Sequence, residues 1–343
     1  MATETHSVRN KTPGAIILFM LPLITAFSGL ADEAPKPDFA IAIHGGAGLE
    51  PNKLSAADRL EHEAALRRAL LAGTEILASG GQALDAVEAA IRVLEDEPLY
   101  NAGKGAVFNS VGTHELDAAI VDGKQRQAGG VAGVTTVKNP ISLARLVMTQ
   151  TPHVLLMGAG AESFADEMKS HPQIERVRND YFSTPHRKTE WLEAQARESA
   201  KRPAAPPDGK STVGCVALDK LGNLAAGTST GGLTNKKWGR VGSVPIVGAG
   251  TFADNETLAV SGTGIGEQFL RNSVGFHLHA LIKYRQLSLD QAVDDMLERI
   301  LPTDTAGIIA IDRSGHVNMR CNTPGMARAA TDSSGRVTIQ LER

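Results

Sequence analysis

One threonine, Thr212, stands where a polar segment turns into an apolar strand. The stretch DGKSTVGCVALDKLGNLAAGTSTGG, residues 208–232, begins as a loop and continues as two apolar runs joined by a turn. A threonine hydroxyl is a poor nucleophile near neutral pH unless a base removes its proton. If the chain were cut before Thr212, the new α-amine, with a reference pKa of about 7.7 to 8.0, could act as that base. Position alone does not decide this, because an ordinary threonine at the start of a strand is the more common case.

Other catalytic patterns are weak or missing in the sequence. The letters Gly-x-Ser-x-Gly occur in GTSTG (227–231), but inside the second apolar run after the turn and not at a strand-to-helix turn, so no serine elbow is indicated. There is no His-Glu-x-x-His zinc motif, and the histidines of HLH (277–279) fall on different faces of a helix. The segment GTGIGE (262–267) follows a strand and opens a helix, as a dinucleotide-binding turn does. Its glycines stand at 262, 264 and 266 with a glutamate at 267, and this spacing argues against a dinucleotide.

The elements around Thr212 predict how it is held. Residues 212–219 are apolar on both faces, and the turn DKLGN predicts a hairpin with the run that follows. If Leu218 pairs with Leu224, Thr230 lies opposite Thr212 with its side chain on the same face. A strand buried on both faces needs a layer on each side. Sheets packed between helical layers are therefore predicted, with helical spacing at 55–79, 82–96, 264–284 and 288–301.

Composition limits the classes of function. The 343 residues, 42% hydrophobic, suffice for a sizeable core in one large domain or two. A net charge of −3 and only 4% aromatic residues argue against nucleic-acid binding. The two cysteines, Cys215 and Cys321, do not make a disulfide scaffold, and we expect buried free thiols although a pairing stays open. The polar residues 171–211 predict a solvated, flexible linker.

The first 31 residues have the pattern of a secretory signal. A basic start at Arg9 and Lys11 precedes an apolar stretch, Ala15 to Phe27, and small residues end at Ala31. An uncleaved membrane anchor is the alternative, because the uncharged span reaches from Thr12 to Ala31. Export with cleavage after Ala31, to the periplasm, is the favoured prediction, and no stable membrane association is expected after cleavage.

Several uncommon motifs recur in order from about residue 39 to the C-terminus. They are IAIHGGAG, NAGKGAVFN, HELDAAIVDG, STVGCVALDKLGNLAAGTSTGGLTNKKWGRVG, VGAGTFADN and SGTGIGE. Together they resemble the plant-type asparaginase and isoaspartyl peptidase family of N-terminal-nucleophile hydrolases. The resemblance implies an α/β (α+β) fold, the four-layer αββα sandwich. It also implies a precursor that cuts itself into an α subunit, 32–211, and a β subunit, 212–343, which form one domain and assemble as a homodimer of αβ units.

The same resemblance assigns roles to individual residues. It implies cleavage between Ser211 and Thr212, with Thr212 as the nucleophile and Thr230 orienting it. Arg240 would grip the substrate α-carboxylate, for which a guanidinium fork is suited. Thr263 and Gly264 would form the oxyanion-hole and substrate-binding turn. The remaining implied substrate-binding residues are Val241, Gly242, Ser243, Ile265, Gly266 and Asn101. Backbone carbonyls would hold a structural sodium at Leu94, Glu95, Glu97, Tyr100, Ala102 and Lys104, and no cofactor is implied for catalysis.

Three positions depart from the family pattern. Ser211 replaces a glycine that helps the scissile peptide adopt unusual backbone angles. Ile265 stands where a small or polar residue is common, which predicts a more apolar pocket floor. Ser243 replaces the aspartate that pairs with the substrate α-ammonium, and losing one partner of such a pair costs about 2 to 5 kcal/mol. Asp254 is a candidate substitute.

The resulting hypothesis is a self-cleaving threonine amidohydrolase that acts on β-aspartyl peptides or asparagine-type side-chain amides, with a small molecule or dipeptide as substrate. One alternative is a related aspartyl-amide hydrolase, of the glycosylasparaginase or threonine aspartase type, with altered recognition of the α-amine. An uncleaved, non-catalytic binding protein on the same fold is the alternative from a different class.

Overall fold

The computed structural model describes residues 36–200 and 211–343, together with Glu4, His6 and Ser7. The chain divides into two units, Met1–Pro35 and Lys36–Arg343, and the second contains every helix and strand given below. Apart from Glu4, His6 and Ser7, the predicted signal peptide lies outside the described residues, so it stays a prediction. Within the described part, no helix is both long and apolar enough to cross a membrane.

Two β-sheets form the centre of the second unit. The larger has eight strands in the order β12-β11-β1-β5-β6-β2-β3-β4, and the smaller has four in the order β10-β9-β8-β7. The strands are β1 (Ala40–Ala47), β2 (Leu116–Asp122), β3 (Gln127–Val134), β4 (Leu155–Met157), β5 (Val213–Leu218), β6 (Leu224–Thr230), β7 (Thr251–Ala253), β8 (Leu258–Gly264), β9 (Ala306–Asp312), β10 (Val317–Cys321), β11 (Gly325–Asp332) and β12 (Thr338–Glu342).

Helices cover the outer face of each sheet. They are α1 (Ala56–Ala78), α2 (Ala83–Asp96), α3 (Pro140–Gln150), α4 (Gly158–Glu167), α5 (Pro185–Ser199), α6 (Gly266–Asn272), α7 (Val274–Arg285) and α8 (Leu289–Asp295). A first core joins α1, α2 and α3 to the larger sheet, a second lies between the two sheets, and a third joins α6, α7 and α8 to the smaller sheet. Three cores between four layers confirm the predicted αββα sandwich.

The hairpin of β5 and β6 has the register predicted from the sequence. Leu218 pairs with Leu224 and Val213 with Ser229, without a bulge between them. Alternate residues of β5 enter different cores, with Cys215 on the helical side and Val216 between the sheets. The side chain of Thr212, on the same face as Val216, is thereby directed into the space between the sheets. Both cysteines are buried free thiols, as expected.

Two helix predictions need correction. The run predicted as one helix over 264–284 is two helices, because Ser273 adopts a left-handed conformation with φ +45° between α6 and α7. The run predicted over 288–301 is α8 followed by a π-helical turn, Met296–Ile300. Neither break changes the face that packs on the smaller sheet.

The prediction of a flexible linker over 171–211 is wrong for residues 171–200. Helix α5 lies within that range, capped by Thr184, whose side chain accepts a hydrogen bond from the Arg187 backbone. The Arg187 Nε donates to the Gly105 carbonyl at 2.7 Å, and Trp191 stacks on Phe108. A helix that is held by only a few tertiary contacts can keep a polar sequence. The polar composition of α5 therefore suggested a linker instead of a helix. Residues 201–210 lie outside the described part of the chain.

Candidate active site

The hydroxyl groups of Thr212 and Thr230 meet at the end of the β5–β6 hairpin. Thr212 Oγ1 donates to Thr230 Oγ1 at 3.1 Å, and Thr230 Oγ1 also accepts from the Gly232 backbone at 3.0 Å. Both threonines are buried. The register therefore produces the contact that the sequence predicted, and it presents a hydroxyl whose proton is directed toward another oxygen.

The peptide carbonyl that precedes Thr212 is also held. Asn101 Nδ2 donates to the Ser211 carbonyl at 2.9 Å and to the Gly232 carbonyl at 2.8 Å. Its own Oδ1 accepts from the Val107 backbone at 3.0 Å, which fixes the orientation of the amide. Asn101 thus contacts the peptide bond between Ser211 and Thr212. A donor at this carbonyl polarises it and can stabilise an oxyanion formed there.

Ser211 is packed against the irregular part of β1, where the register with β11 shifts between His44 and Gly46. Its hydroxyl donates to the Gly45 carbonyl at 2.7 Å. Gly46 has φ +116°, and a Cβ there would lie 2.2 Å from Ser211 Oγ. A side chain at 46 is therefore excluded both by backbone conformation and by space. The Ser211 side chain is accommodated through that hydrogen bond.

His44, which sequence reasoning missed, supports the nucleophile from the other side. Its Nδ1 lies 2.9 Å from the Thr212 carbonyl oxygen, and its Nε2 lies 3.0 Å from Ser261 Oγ. Burial lowers the pKa of His44 to about 3, despite the opposing hydrogen bond to Thr212, so the ring is neutral. A carbonyl only accepts, so Nδ1 carries the proton and Nε2 accepts from Ser261.

The His44 contact belongs to a buried chain of hydroxyl groups between the sheets. Ser261 Oγ lies 2.7 Å from Thr228 Oγ1, and Thr251 Oγ1 donates to Thr228 at 2.7 Å. The pairing of β1 with β5 ends at His44 and Gly214, so the Thr212 carbonyl lies beyond this ladder. The His44 imidazole donates to that carbonyl in place of a strand N–H. A Cβ at Gly214 would lie 2.0 Å from Ser261 Oγ. The only signal in the sequence was a histidine inside an apolar strand.

A small pocket opens beside the two threonines. It has a volume of about 280 Å³ and is lined by Thr212, Thr230, Gly232, Leu233, Arg240, Gly242, Ser243, Val244, Gly262, Thr263, Gly264 and Gly266. Seven predicted site residues are therefore brought together with Thr212. Val241 and Ile265 are not in the described lining, and Asn101 lies at the Ser211 carbonyl instead. The predicted effect of Ile265 on the pocket floor gains no support from this placement.

The arginine of the pocket is paired with a glutamate that the sequence had not singled out. Arg240 donates from Nε and Nη2 to the two carboxylate oxygens of Glu267, each at 3.0 Å. Burial raises the pKa of Glu267, but the hydrogen bond and charge of Arg240 outweigh it and hold that pKa below its usual range. Glu267 is therefore ionised at neutral pH.

Asp254 lies away from the pocket. It follows β7 at the turn into β8, where its carboxylate lies 3.8 Å from Arg126 Nη1 and 3.8 Å from His279 Nδ1. Thr263 is at the opposite end of β8, five residues beyond Leu258, or about 17 Å at 3.3 Å per residue. The suggestion that Asp254 replaces the missing aspartate is therefore wrong.

Thr263 and Gly264 form the C-terminal end of β8, beside the pocket. Thr263 Oγ1 accepts from the Ala47 backbone at 3.1 Å, which links the two sheets beside the pocket. Gly264 has φ +128°, and a Cβ there would lie 2.0 Å from the Thr305 carbonyl oxygen. Only glycine fits such a position without moving the backbone.

The loop after α2 crowds backbone oxygens together. A Cβ at Gly103 would lie 2.3 Å from the Glu95 carbonyl oxygen, and one at Gly105 would lie 2.8 Å from that of Tyr100. Carbonyl oxygens are the ligands that hard cations prefer. The sodium at this loop stays a prediction. Elsewhere in the described chain, no group of three or more His, Cys, Asp or Glu residues could hold a metal.

A larger cleft lies between α1, α2 and α3, with a volume of about 950 Å³. Its charged groups already pair with each other: Arg145 contacts both Asp85 and Glu88. No threonine, serine or cysteine nucleophile lines its described part. The smaller pocket is therefore the candidate active site, since chemistry requires reactive groups as well as space.

Comparison with known proteins agrees with the geometry. The sequence profile of the family described as "Asparaginase" matches residues 37–340. An isoaspartyl peptidase of Salmonella typhimurium is 46% identical over 297 residues, which cover 84% of this chain and 94% of that protein. An isoaspartyl peptidase of Escherichia coli is 47% identical over 298 residues, covering 84% and 91%. A plant-type L-asparaginase of Pyrococcus abyssi is 41% identical over 302 residues, covering 84% and 95%. With its αββα sandwich, the chain belongs to the plant-type asparaginase family of N-terminal-nucleophile hydrolases.

Proposed function

We propose that this protein is a self-cleaving threonine hydrolase acting on β-aspartyl peptides and on asparagine-type side-chain amides. The observation that carries the proposal is the pair of hydrogen bonds on either side of the peptide bond between Ser211 and Thr212. The Thr212 hydroxyl contacts Thr230 on one side of it, while Asn101 donates to the Ser211 carbonyl on the other. The names of the relatives, isoaspartyl peptidase and plant-type L-asparaginase, support the same substrate class.

Self-cleavage begins with the Thr212 hydroxyl. Its oxygen attacks the Ser211 carbonyl carbon, and Asn101 Nδ2 donates to the oxyanion that forms. The C–N bond breaks and its nitrogen takes a proton, leaving an ester between Ser211 and the Thr212 oxygen. Water then hydrolyses that ester, which leaves a carboxylate on Ser211 and restores the Thr212 hydroxyl beside the α-amine that was freed when the C–N bond broke. His44 holds the Thr212 carbonyl throughout, so the new N-terminus stays in place.

Substrate hydrolysis uses the amine that cleavage created. The Thr212 α-amine takes the hydroxyl proton, the oxygen attacks the side-chain amide of the substrate, and the leaving amine receives that proton. Water then releases the β-aspartyl group from the enzyme. Arg240 binds the substrate α-carboxylate through two parallel hydrogen bonds, and Thr263 with Gly264 contacts the developing oxyanion. No cofactor is required for these steps.

The assembly and location of the enzyme form part of the proposal. Residues 32–211 and 212–343 are the α and β subunits, and two αβ units form a homodimer. Residues 1–31 direct export to the periplasm and are removed. A sodium ion at the 94–104 loop would brace the segment that carries Asn101, without taking part in either reaction.

The test is N-terminal sequencing of the small fragment, joined to an activity panel. The fragment should begin Thr-Val-Gly-Cys, and Thr212→Ala should remain full length and inactive. The purified cleaved protein is then tested with β-aspartyl dipeptides, L-asparagine and N-blocked amides. A fragment with another start, or hydrolysis by the uncleaved Thr212→Ala variant, contradicts the role of Thr212. A wild-type chain that is never cleaved contradicts the enzyme hypothesis.

A further inference from the structure

The substrate pocket has an ion pair at its edge. Arg240 is the one charged residue among the described residues of the lining, and Glu267 balances it through two hydrogen bonds of 3.0 Å. The side chain of Arg240 is 17% exposed and that of Glu267 is 40% exposed. The glutamate is therefore accessible to a molecule that enters beside the arginine.

Packing holds this pair close to the position of the missing aspartate. A Cβ at Gly266 would lie 2.7 Å from Arg240 Nη2 and 3.1 Å from the backbone nitrogen of Ser243. Glu267 is the next residue, in the first turn of α6. Ser243 is neutral, and Asp254 is at the far end of β8. Glu267 is thus a partly exposed carboxylate beside the pocket, bonded to Arg240, whereas Asp117, which lies opposite Thr230 in the ladder of β2 and β6, is fully buried.

The charges of the pair complement those of an α-amino acid. Such a head group carries a carboxylate and an ammonium on one carbon, and the pocket carries a guanidinium beside a carboxylate. When the substrate carboxylate takes Arg240, Glu267 loses its partner, and a partly buried charge without a partner is costly. An incoming ammonium removes that cost, whereas an N-acylated head group does not.

We propose that Glu267 exchanges its partner on binding, from Arg240 to the substrate α-ammonium, and so replaces the aspartate that Ser243 lacks. The inference rests on the proposed function and narrows it. The site selects substrates with a free α-amine, namely β-aspartyl peptides and L-asparagine, over N-acylated amides. Glu267 is a specificity-determining residue in this account, while Thr212 remains the nucleophile.

The experiment compares two substrates on matched variants of the cleaved enzyme. The substrates are a β-aspartyl dipeptide with a free α-amine and the same dipeptide acetylated on that amine. Glu267→Gln removes the charge and keeps the shape. Glu256→Gln is the control, because Glu256 also forms an ion pair, but with Lys283, whereas the described hydrogen bonds of Arg240 go to Glu267. The measured quantity is the ratio of kcat/KM for the free amine to kcat/KM for the acetylated substrate.

We expect Glu267→Gln to lower this ratio by about tenfold or more, equivalent to about 1.4 kcal/mol, with the ratio unchanged in Glu256→Gln. Adding Ser243→Asp to Glu267→Gln should restore it. Two results would overturn the inference. A rise for both substrates would make Glu267 only a competitor for Arg240, and an equal fall for both would make it only a support for the arginine.

A second variant keeps the test decisive if Glu267→Gln fails to fold or to cleave. Ser243→Asp in the wild-type background should change the ratio by less than about threefold, because Glu267 already supplies the charge. A rise of tenfold or more would overturn the inference. Wild-type enzyme that hydrolyses neither substrate contradicts the proposed function instead, so the two failures are distinguishable.

Discussion

Replacing Asn101 by leucine should slow self-cleavage. The substitution keeps the approximate shape of the side chain and removes the donor that lies 2.9 Å from the Ser211 carbonyl oxygen. Leucine also excludes the water that a smaller residue would admit in place of the amide. Cleavage should therefore lose the stabilisation that Asn101 gives to the oxyanion.

The expected loss of cleavage rate depends on the hydrogen bond that Asn101 already makes to the Ser211 carbonyl before the reaction. Removing an oxyanion donor costs about 10²- to 10³-fold in rate when the bond forms only in the transition state. Here the bond to the neutral carbonyl already exists, and only its strengthening on charge development accelerates the reaction. A hydrogen bond contributes about 1 kcal/mol when neutral and about 1.5 to 3 kcal/mol when charged. Their difference, about 0.5 to 2 kcal/mol, predicts a rate lower by a factor of roughly 2 to 30.

Asn109→Leu is the matched control. Asn109 is buried, donates to Thr113, and accepts from the Val111 and Thr113 backbones, but it has no hydrogen bond to Ser211 among those described. Chains made by cell-free translation are sampled over time, and the fraction cut is read from a denaturing gel and from intact mass. If Asn101→Leu melts near the temperature of Asn109→Leu and still cleaves as fast as wild type, Asn101 is not the oxyanion donor.

Three further predictions concern the pocket, the nucleophile and the core. Arg240→Lys should raise KM for the best substrate while cleavage proceeds, because lysine lacks the bidentate fork, and an unchanged kcat/KM would remove Arg240 from substrate binding. His44→Phe should lower kcat by about tenfold, because phenylalanine cannot donate to the Thr212 carbonyl. His44→Asn can still donate to it and should retain most of the activity. Equal losses in the two variants would reject a positioning role for His44. Burial raises the pKa of Glu95 to about 8, whereas the carboxyl of the unfolded chain ionises near its usual pKa of about 4.5. Between these pH values the unfolded state loses its proton first, so the free energy of unfolding of wild type should fall by about 1.4 kcal/mol per pH unit. Glu95→Gln has no such proton to lose, so its stability relative to wild type should rise over the same pH range. Urea unfolding at pH 5 and pH 8, in the uncleaved Thr212→Ala background, measures that difference, and a difference independent of pH would show that Glu95 is not held protonated.

The hairpin that carries the nucleophile could be predicted because its information is local. Two apolar runs joined by a short turn fix the register through Leu218 and Leu224, and the register alone brings Thr230 to Thr212. Strands buried on both faces predicted sheets between helical layers, and the resemblance to the family implied the four-layer order. Helix α5 could not be predicted in the same way. Its polar sequence gives little apolar periodicity, and its position depends on distant groups, the Gly105 carbonyl and the Phe108 ring.

Residues that act through tertiary contacts were also hidden. His44 reaches Thr212 across a separation of 168 residues, and its role depends on where the β1–β5 ladder ends. No pattern in the sequence marks such a contact, because a histidine in an apolar strand is more often a packed core residue. Glu267 was visible only as part of GTGIGE, where its spacing served to reject a dinucleotide turn.

The substitution at Ser243 and the pair formed by Arg240 and Glu267 bear on each other. From the sequence, a serine at 243 removes a charge, and the expected consequence is weak binding of any substrate with an α-ammonium. Beside the pocket, however, a glutamate is already bonded to the arginine that binds the substrate carboxylate. Binding of the substrate carboxylate therefore releases a negative charge next to the site where the aspartate is missing. Loss of the aspartate need not abolish binding of the substrate ammonium, because Glu267 can bind it instead. Glu267 becomes available for this contact only when the substrate carboxylate has taken its place on Arg240. Recognition of the two charged groups is then coupled, so a substrate that lacks either one forfeits the contribution of both.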